Sequence, residues 1–466
     1  MKKVVSLLLA AVMTAGMMTG CTNSSKKAGN DGKTTITIGG WPKEKDASLD
    51  AYEKLKDEFM KKNPDIIIKT DDWGWDPNGF MTKAAAGQLP DVYVTAYTEI
   101  QKIINTGYAM DITEYMEKYE YTKYINDNTK EVVSQDGKIY AVPENAYIMG
   151  LFININLFKK AGLMNEDGTP KIPKTWDEVG EFSQIIRNKT GVPGFILPTM
   201  TNCGGWHFMN IAWAYGVNHQ FMTQKGDKWK ADFAGKEGAA ALSFIQDLKF
   251  KYNALPEDAL VKPDKLGKDF AADRVAMYLG TPAADVLRDL ASYGMDKSNL
   301  AVASMPEGPA GKFTQLGGNI RVLKKGLSDA QVDAIFKWFD FIGMSPNITD
   351  DSKKSREEVV KANSEASQLV GVKTFSIWNQ EGDVPDVQKF ENELAEKYKN
   401  VDTKMFADYE DFDEVTCLPE PPVNCQQLYN ILDGCIQSVL LDKNADPSEV
   451  LKKAQNDFQI NYLDKN

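Results

Sequence analysis

The sequence predicts an α/β protein with a parallel sheet, because strand-like and helix-like segments alternate near its beginning. A β-branched run at 34–38 precedes an amphipathic helix, and the apolar run at 65–70 follows that helix. A short Ala-rich helix at 80–86 then leads to a third apolar strand within 87–97. Strands joined by crossover helices pair in parallel, and ligands of such sheets lie beyond the carboxyl ends of the strands. The loops after these three strands are therefore the first candidates for a binding site.

The first 21 residues indicate that the protein is exported. Lys2 and Lys3 precede a short apolar stretch that ends in small residues before Cys21, as in secretory signals. This run resembles a bacterial lipoprotein signal, and the resemblance implies cleavage of residues 1–20 and attachment of lipid to Cys21. An ordinary secretory signal with an incidental cysteine is the alternative. Residues 21–33 are polar and predict a flexible tether, and no later apolar run reaches the ~18 residues that span a bilayer.

Composition limits the classes of function. The 466-residue chain is 42% hydrophobic and 26% charged, as is typical of globular proteins, and its formal net charge is −12. Such an acidic surface argues against binding to nucleic acid or to anionic lipid surfaces. The chain has 2 histidines, and the spacing of Cys417, Cys425 and Cys435 matches no zinc signature, so we expect neither a metal nor a cofactor. These three cysteines and Cys203 are either free thiols or include one disulfide.

Six motifs occur along the chain in a characteristic order. They are AAAGQLPDVYV, INTGYAMDIT, DGKIYAVPENAYIMGLFININLFKKAGL, PKTWDEV, FAADRVAMYLG and MPEGPAGKFTQLGGNIRVLKKG. Each motif alone is weakly specific. Their order and spacing together resemble the extracellular solute-binding proteins of family 1, which are substrate-binding lipoproteins of ABC importers for sugars and oligosaccharides. The resemblance covers nearly the whole of the chain after the tether.

The resemblance implies a fold of two α/β lobes of the type II periplasmic-binding-protein class. Each lobe is expected to contain a mostly parallel sheet flanked by helices, with the ligand in a cleft between the lobes. Hinge closure around the ligand is the motion that such proteins use. The implied segments are an N-lobe of 34–147 plus 318–344, a C-lobe of 148–317 plus 345–466, and chain crossings near 145–151, 316–319 and 342–345.

Sugar rings present an apolar face and a rim of hydroxyl groups, so a sugar site needs aromatic and planar polar side chains. In the C-lobe, the positions of Trp206 and of Thr281 after MYLG resemble ligand-contacting positions of the family. The candidate ligand-binding residues are Trp41, Lys43, Asp72, Trp73, Trp75, Thr95, Tyr97, Glu99, Asn145, Tyr147, Trp206, His207, Thr281, Asn319 and Trp378. For each aromatic residue, packing in the core is the alternative. Of Trp73 and Trp75, we expect one to face the cleft.

The resemblance implies a receptor rather than an enzyme, and the chain contains no G-x-S-x-G, H-E-x-x-H or Walker motif. We expect a monomer that is held by lipid at the extracellular face of the cytoplasmic membrane. It would bind an oligosaccharide and deliver it to ABC transporter permease subunits. Two alternatives remain: the same scaffold binding another small solute, such as a polyol or a uronate oligomer, and a glycan-binding surface lipoprotein without transport. An anionic ligand would require an Arg/Lys clamp, of which only Lys43 is evident in the expected cleft.

Overall fold

The computed structural model describes residues 32–44, 49–76, 79–226, 228–366 and 368–465, except for the side chains of 284 and 285. The predicted lipid site, Cys21, lies outside these residues. The strands are β1 (Thr34–Ile38), β2 (Ile66–Thr70), β3 (Val92–Ala96), β4 (Ser134–Gln135), β5 (Lys138–Ile139), β6 (Ala141–Pro143), β7 (Tyr147–Ile148), β8 (Gly150–Asn154), β9 (Phe195–Ile196), β10 (Met222–Lys225), β11 (Lys228–Ala231), β12 (Met277–Gly280), β13 (Leu300–Ala303), β14 (Phe313–Gly317), β15 (Asn319–Leu323) and β16 (Thr416–Pro419).

The helices surround these strands. They are α1 (Leu49–Lys62), α2 (Phe80–Ala85), α3 (Ile100–Asn105), α4 (Thr113–Lys118), α5 (Tyr121–Tyr124), α6 (Asp127–Val132), α7 (Ile155–Ala161), α8 (Trp176–Thr190), α9 (Cys203–Ala214), α10 (Lys236–Phe250), α11 (Asp264–Ala271), α12 (Ala284–Ser292), α13 (Asp329–Phe341), α14 (Asp350–Glu365), α15 (Asp386–Tyr398), α16 (Cys425–Leu441) and α17 (Pro447–Phe458).

The sheet of the N-lobe has the strand order β2-β1-β3-β15-β6. β1 pairs in parallel with β2 and β3, as the alternating segments of the sequence predict. β15 runs antiparallel to both β3 and β6. Ile36 and Ile38 of β1 are buried, and Phe59 of α1 packs edge-on against Trp338 of α13 with ring centroids 5.3 Å apart. Burial of these apolar side chains between helices and sheet forms the N-lobe core.

The sheet of the C-lobe has the strand order β13-β8-β12-β9. β8 runs antiparallel to β12 and β13, and β12 runs parallel to β9. Both large sheets are therefore mixed rather than mostly parallel. The antiparallel members are β15 and β8, the two strands that follow strands of the third, smaller sheet.

The third sheet, β16-β14-β7, connects the two lobes. The chain passes from β6 through β7 to β8, and it returns from β14 to β15 across Gly317 and Gly318. A β-carbon at Gly317 would lie 2.4 Å from the ring of Tyr147, and one at Gly318 would lie 2.2 Å from the carbonyl oxygen of Asn145. These short distances show that the two crossings lie in direct contact, and only glycine at these two positions allows so close an approach.

The chain after α13 contacts both lobes in turn. Lys62 of α1 pairs with Asp351 of α14 at 2.9 Å, and the rings of Tyr121 and Trp378 lie 5.7 Å apart. From β16 onward the partners change, because β16 pairs with β14 and α16 packs against α9. The lobe boundaries drawn from the sequence assign all of 345–466 to the C-lobe. From these contacts we propose instead that α14 and α15 belong with the N-lobe.

Candidate functional site

Tyr97 and Glu99 lie in a 3-10 turn directly after β3, at the carboxyl end of the parallel strands. Both side chains are buried. The Tyr97 hydroxyl donates a hydrogen bond to the carbonyl oxygen of Asn145 at 3.0 Å, and its backbone N–H donates to the carbonyl oxygen of Gly318 at 3.1 Å. Tyr97 thereby joins the N-lobe sheet to both chain crossings.

The two crossings are also joined to each other. The backbone N–H of Asn319 donates to Oδ1 of Asn145 at 3.0 Å, and the N–H of Glu144 donates to the carbonyl oxygen of Asn319 at 2.9 Å. Arg321 forms an ion pair with Glu144 at 2.9 Å, with only 11% of the arginine side chain exposed. This ion pair neutralises the positive charge of Arg321, the arginine that lies at the crossings. The side chains of Asn145 and Asn319 stay exposed to solvent.

The C-lobe contributes an aromatic and acidic group to the same region. Trp206 lies in the first turns of α9 and is half-buried. The Tyr429 hydroxyl of α16 donates to Oε1 of Glu420 at 2.6 Å, and the Trp206 side chain acts to lower the pKa of Glu420. Asp433 holds the start of α9, because its carboxylate accepts from the backbone N–H of Gly205 at 2.8 Å. An acidic group at a helix N-terminus is electrostatically favourable.

Electrostatics connect the N-lobe and C-lobe groups. Burial raises the pKa of Glu420 to about 7, and the negative charge of Glu99 adds to this rise. Burial also raises the pKa of Glu99, while the nearby charge of Lys102 lowers it. Gln315 of β14 donates a hydrogen bond to the Tyr429 hydroxyl at 3.3 Å, and Tyr147 packs over Gly317 at the end of the same strand. These groups therefore lie within electrostatic reach of one another, although they come from different lobes.

We call this set the junction cluster. It combines aromatic faces with carboxylate and amide groups, the combination that sugar recognition requires. It brings together six residues that the sequence predicts as candidates and two that it does not. Its members are Tyr97, Glu99, Asn145, Tyr147, Trp206, Asn319, Glu420 and Tyr429.

Trp73 and Trp75 lie in the loop after β2 and pack on the N-lobe. Trp73 lies edge-on to Tyr93 at 5.6 Å between centroids, and Trp75 stacks on Tyr93 at 6.4 Å and lies 4.8 Å from Phe80. Lys83 lies over the ring of Trp73 at 5.3 Å. Both tryptophans are half-buried and cover the end of the core between β3 and α2. Among the described residues, the rings that contact Trp73 and Trp75 include no member of the junction cluster.

Trp41 lies in the N-lobe core. Its side chain is 5% exposed, and Nε1 donates to Glu53 at 2.9 Å. Its ring contacts Tyr52 at 5.4 Å and Trp338 at 6.2 Å between centroids. These contacts place Trp41 between α1 and α13 and apart from the junction cluster.

Trp378 and His207 are also buried. Trp378 packs against Tyr121, as described above. The ring of His207 lies between two carbonyl oxygens, with Nδ1 2.7 Å from that of Cys203 and Nε2 3.2 Å from that of Leu279. Burial lowers the pKa of His207 to about 4, so the imidazole is neutral at pH 7. His207 joins α9 to β12.

The remaining candidates are four polar residues, and they differ in exposure. Lys43 and Asp72 are exposed in the loops after β1 and β2, and Thr281 is half-buried after β12. Thr95 on β3 is buried, and its hydroxyl has no hydrogen-bond partner among the described residues.

The sequence did not predict Glu420 and Tyr429 as site residues. One signal was available: Glu420 lies between Pro419 and Pro421, where a short strand ends. This signal could be interpreted only once the pairing of β16 with β14 was known, because that pairing brings together residues about 100 positions apart in the sequence.

The described residues lack the features of a metal site and of a membrane-spanning helix. They contain no group of three or more His, Cys, Asp or Glu that could hold a metal ion. Within the described ranges, no helix is both long and apolar enough to cross a membrane. Cys203, Cys417, Cys425 and Cys435 are free thiols in the structure. A groove of ≈ 730 Å³ lies beside the junction cluster and is lined by Asn145, Phe375 and Trp378 among others.

Residues 45–343 match the family described as bacterial extracellular solute-binding protein. The chain belongs to this family. Solved structures confirm the type II periplasmic solute-binding fold: an ABC transporter solute-binding protein from Thermotoga lettingae, bound with alpha-D-tagatose, superposes with a TM-score of 0.61. The alignment is 23% identical and covers 91% of this chain and 98% of that one.

Curated relatives of this solute-binding protein differ in their ligands. The multiple sugar-binding protein of Streptococcus mutans is 26% identical over 213 residues, which cover 45% of this chain and 47% of the relative. The sn-glycerol-3-phosphate-binding periplasmic protein UgpB of Brucella melitensis is 25% identical over 297 residues, which cover 62% of this chain and 59% of the relative. The chain thus spans only about half the length of the curated relatives that it matches.

Proposed function

We propose that this solute-binding protein captures an oligosaccharide at the junction cluster and delivers it to ABC transporter permease subunits. The observation that carries the proposal is the set of contacts where the lobes join: Tyr97 donates to the carbonyl oxygen of Asn145 at 3.0 Å, and the Tyr429 hydroxyl accepts from Gln315 of β14 and donates to Glu420. An aromatic face beside carboxylates can stack on a sugar ring and accept hydrogen bonds from its hydroxyl groups. Closure would be favoured because the ligand contacts both lobes.

We further propose that the protein does not catalyse a reaction on the sugar. Two carboxyl groups are the minimum of a glycosidase site, and Glu99 and Glu420 could be read in that way. The family to which the chain belongs is one of binding proteins, and this favours capture over hydrolysis. Incubation with the bound oligosaccharide should leave it intact, and release of shorter products would contradict the proposal.

Lipid anchoring through Cys21 at the extracellular face is the second part of the proposal. It rests on the signal-like sequence that precedes this cysteine. Growth with a labelled fatty acid should label the wild-type chain, and Cys21→Ser should prevent labelling and release the protein into the medium. Equal labelling of both forms would contradict the anchor without affecting the binding site.

A thermal-shift screen tests the ligand class, since a ligand that binds the folded state raises the unfolding midpoint. The panel contains the neutral probes maltotetraose, cellotetraose, xylotetraose, arabinotriose and raffinose, and the acidic probes trigalacturonate and glycerol 3-phosphate. We expect at least one neutral oligosaccharide to raise the midpoint. A shift with glycerol 3-phosphate alone would support the alternative of another small solute.

A further inference from the structure

A chain of hydrogen bonds leads from the core to the acidic group of the junction cluster. Gln315 lies on β14, two residues before the glycines of the crossing, and its side chain is fully buried. Its Nε2 donates to the Tyr429 hydroxyl at 3.3 Å, and that hydroxyl donates to Oε1 of Glu420 at 2.6 Å. Glu420 is half-buried, so the chain ends at a carboxylate that solvent reaches.

The donor and acceptor roles fix the direction of this chain. An ionised carboxylate only accepts hydrogen bonds, so the Tyr429 hydroxyl gives its hydrogen to Glu420. The phenolic oxygen can then only accept, and the NH2 group of Gln315 is the donor that it requires. Because each bond has one possible direction, the chain holds the Glu420 carboxylate in one orientation.

The same glutamine is joined to the helix that carries Trp206. The backbone N–H of Gln315 donates to Oδ1 of Asn210, a buried residue of α9 that lies one turn after Trp206. The distance of this hydrogen bond is 2.8 Å. At the start of α9, a β-carbon at Gly205 would lie 2.4 Å from the backbone oxygen of Tyr429. Gln315 and Tyr429 therefore contact both the helix of the aromatic group and the acidic group.

One atom of Gln315 is unfavourable for folding. Its Oε1 is buried and has no hydrogen-bond partner among the described residues. Burial of an oxygen without a partner is destabilising. Methionine has nearly the same shape, lacks this oxygen and would keep the backbone bond to Asn210. Proteins break such local rules of stability mainly at functional sites, and this favours a role for Gln315 in binding.

We propose that Gln315 and Tyr429 are positioning residues, which hold Glu420 so that its carboxylate accepts a hydrogen bond from a hydroxyl group of the oligosaccharide. The inference rests on the proposed function, because it assigns roles within that site. Tyr429 takes up part of the accepting capacity of the carboxylate, and further lone pairs are left for the ligand. A hydroxyl that donates to a carboxylate forms a charge-assisted hydrogen bond. Because the chain fixes Glu420 in advance, binding orders this side chain at little cost.

Titration calorimetry of single variants tests the positioning roles, with the neutral probe that binds most tightly in the panel. The pH is 8.5, above the Glu420 pKa of about 7, so that the carboxyl is ionised. Tyr429→Phe should weaken binding about tenfold and Gln315→Met about fivefold, since each removes a bond of the chain. Tyr119→Phe is the control, because its hydroxyl also donates to a carboxylate, that of Asp333, at 3.0 Å in the N-lobe. The control should bind within about twofold of wild type.

A double-mutant cycle separates action through Glu420 from a general loss of packing. Glu420→Ala should weaken binding at least about tenfold, because the ligand loses a hydrogen bond to a charged group. In this background, Tyr429→Phe and Gln315→Met should change the affinity by less than about twofold, since no carboxylate is left to position. Thermal shift at millimolar probe measures the affinity where the heats are too small.

The stability of the ligand-free variants gives an independent readout. Gln315→Met removes the buried oxygen without a partner, while the Tyr429 hydroxyl keeps its bond to Glu420. The unfolding midpoint of Gln315→Met should therefore equal or exceed that of wild type, although its affinity falls. A purely structural glutamine would lose stability and affinity together. This variant also serves if Tyr429→Phe does not fold.

Three results would overturn the inference while leaving the proposed function intact. They are affinities of both single variants within about twofold of wild type, equal losses of affinity with and without the Glu420 side chain, and a midpoint of Gln315→Met that falls together with its affinity. Failure of every oligosaccharide to bind the wild-type protein would instead contradict the proposed function.

Discussion

Trp206 offers the simplest test of the site at the scale of one residue. Trp206→Ala should weaken oligosaccharide binding by roughly 1–3 kcal/mol, the scale of a lost aromatic contact in a covered site. Because the half-buried side chain also packs against the core, the unfolding midpoint of the variant is measured alongside and should stay well above the temperature of the titration. Titration calorimetry measures the loss. The control is Trp229→Ala, which removes an equally half-buried tryptophan on β11, away from the cluster. Equal affinity of Trp206→Ala and wild type would remove this residue from the site.

Trp75 tests the opposite role. Because its ring packs on Phe80 and Tyr93, Trp75→Ala should lower the free energy of unfolding by roughly 2 kcal/mol, about half the cost of removing a fully buried tryptophan. Chemical denaturation measures this change. Oligosaccharide affinity should stay within about twofold of wild type, a change of ~0.4 kcal/mol. A large loss of affinity with unchanged stability would instead show that this loop faces the ligand.

His207 should make stability depend on pH. Its pKa is about 4 in the folded protein and near 6.5 when unfolded, so the unfolded state binds the extra proton between these values. Its stabilising contribution is complete above pH 6.5 and is lost as the pH falls towards 4. The difference in unfolding free energy between wild type and His207→Gln should therefore shrink by roughly 3 kcal/mol between pH 7 and pH 4. Using the difference cancels the opposite effect of Glu420, and a constant difference would contradict this role.

Sequence reasoning could place loop residues only by the strand ends that they follow. Tyr97 and Glu99 belong to the cluster because they follow β3, whose alternating pattern is visible in the sequence. Trp41 follows β1 in the same way, yet it turns into the core between α1 and α13. The direction of a side chain in a loop depends on helix packing, which periodicity does not reveal.

At the scale of elements, α9 must approach α16 closely for Trp206 to reach Glu420. Gly205 makes this possible, because a β-carbon there would lie 2.4 Å from the backbone oxygen of Tyr429. Gly205→Ala should therefore cost roughly 3 kcal/mol of stability and weaken binding by displacing Trp206. Gly434→Ala on α16 is the matched control: nothing lies within 4 Å of its β-carbon, and stability should rise by up to ~1 kcal/mol. Equal stability of the two variants would contradict the close approach.

Elements with strong local signals were predictable. The strand at 34–38 matches β1, and Thr175 begins α8 by accepting from the N–H of Glu178 at 3.2 Å. The strands of the third sheet were not predictable in this way. β7 has two residues and β16 has four, too few to show a period, and their pairing depends on contacts between distant parts of the chain.

At the scale of the whole molecule, the lobes meet through two chain crossings in contact and through the third sheet, β16-β14-β7. A ligand that binds there should protect both lobes at once, because closure excludes water from each side. Ligand capture by one lobe alone would protect only that lobe. Binding in the groove beside the cluster would protect Asn145 and the strand-free segment around Phe375, and it would leave peptides with Trp206 and Glu420 unprotected.

Hydrogen–deuterium exchange with and without a saturating neutral oligosaccharide is the most direct measurement of this arrangement. We expect slower exchange in peptides that contain Tyr97 and Glu99, in the crossing at 144–147, and in peptides that contain Trp206 and Glu420. The Trp206→Ala variant at the same ligand concentration should show less protection in both lobes. Protection confined to one lobe, or to peptides around Phe375, would contradict binding at the junction cluster.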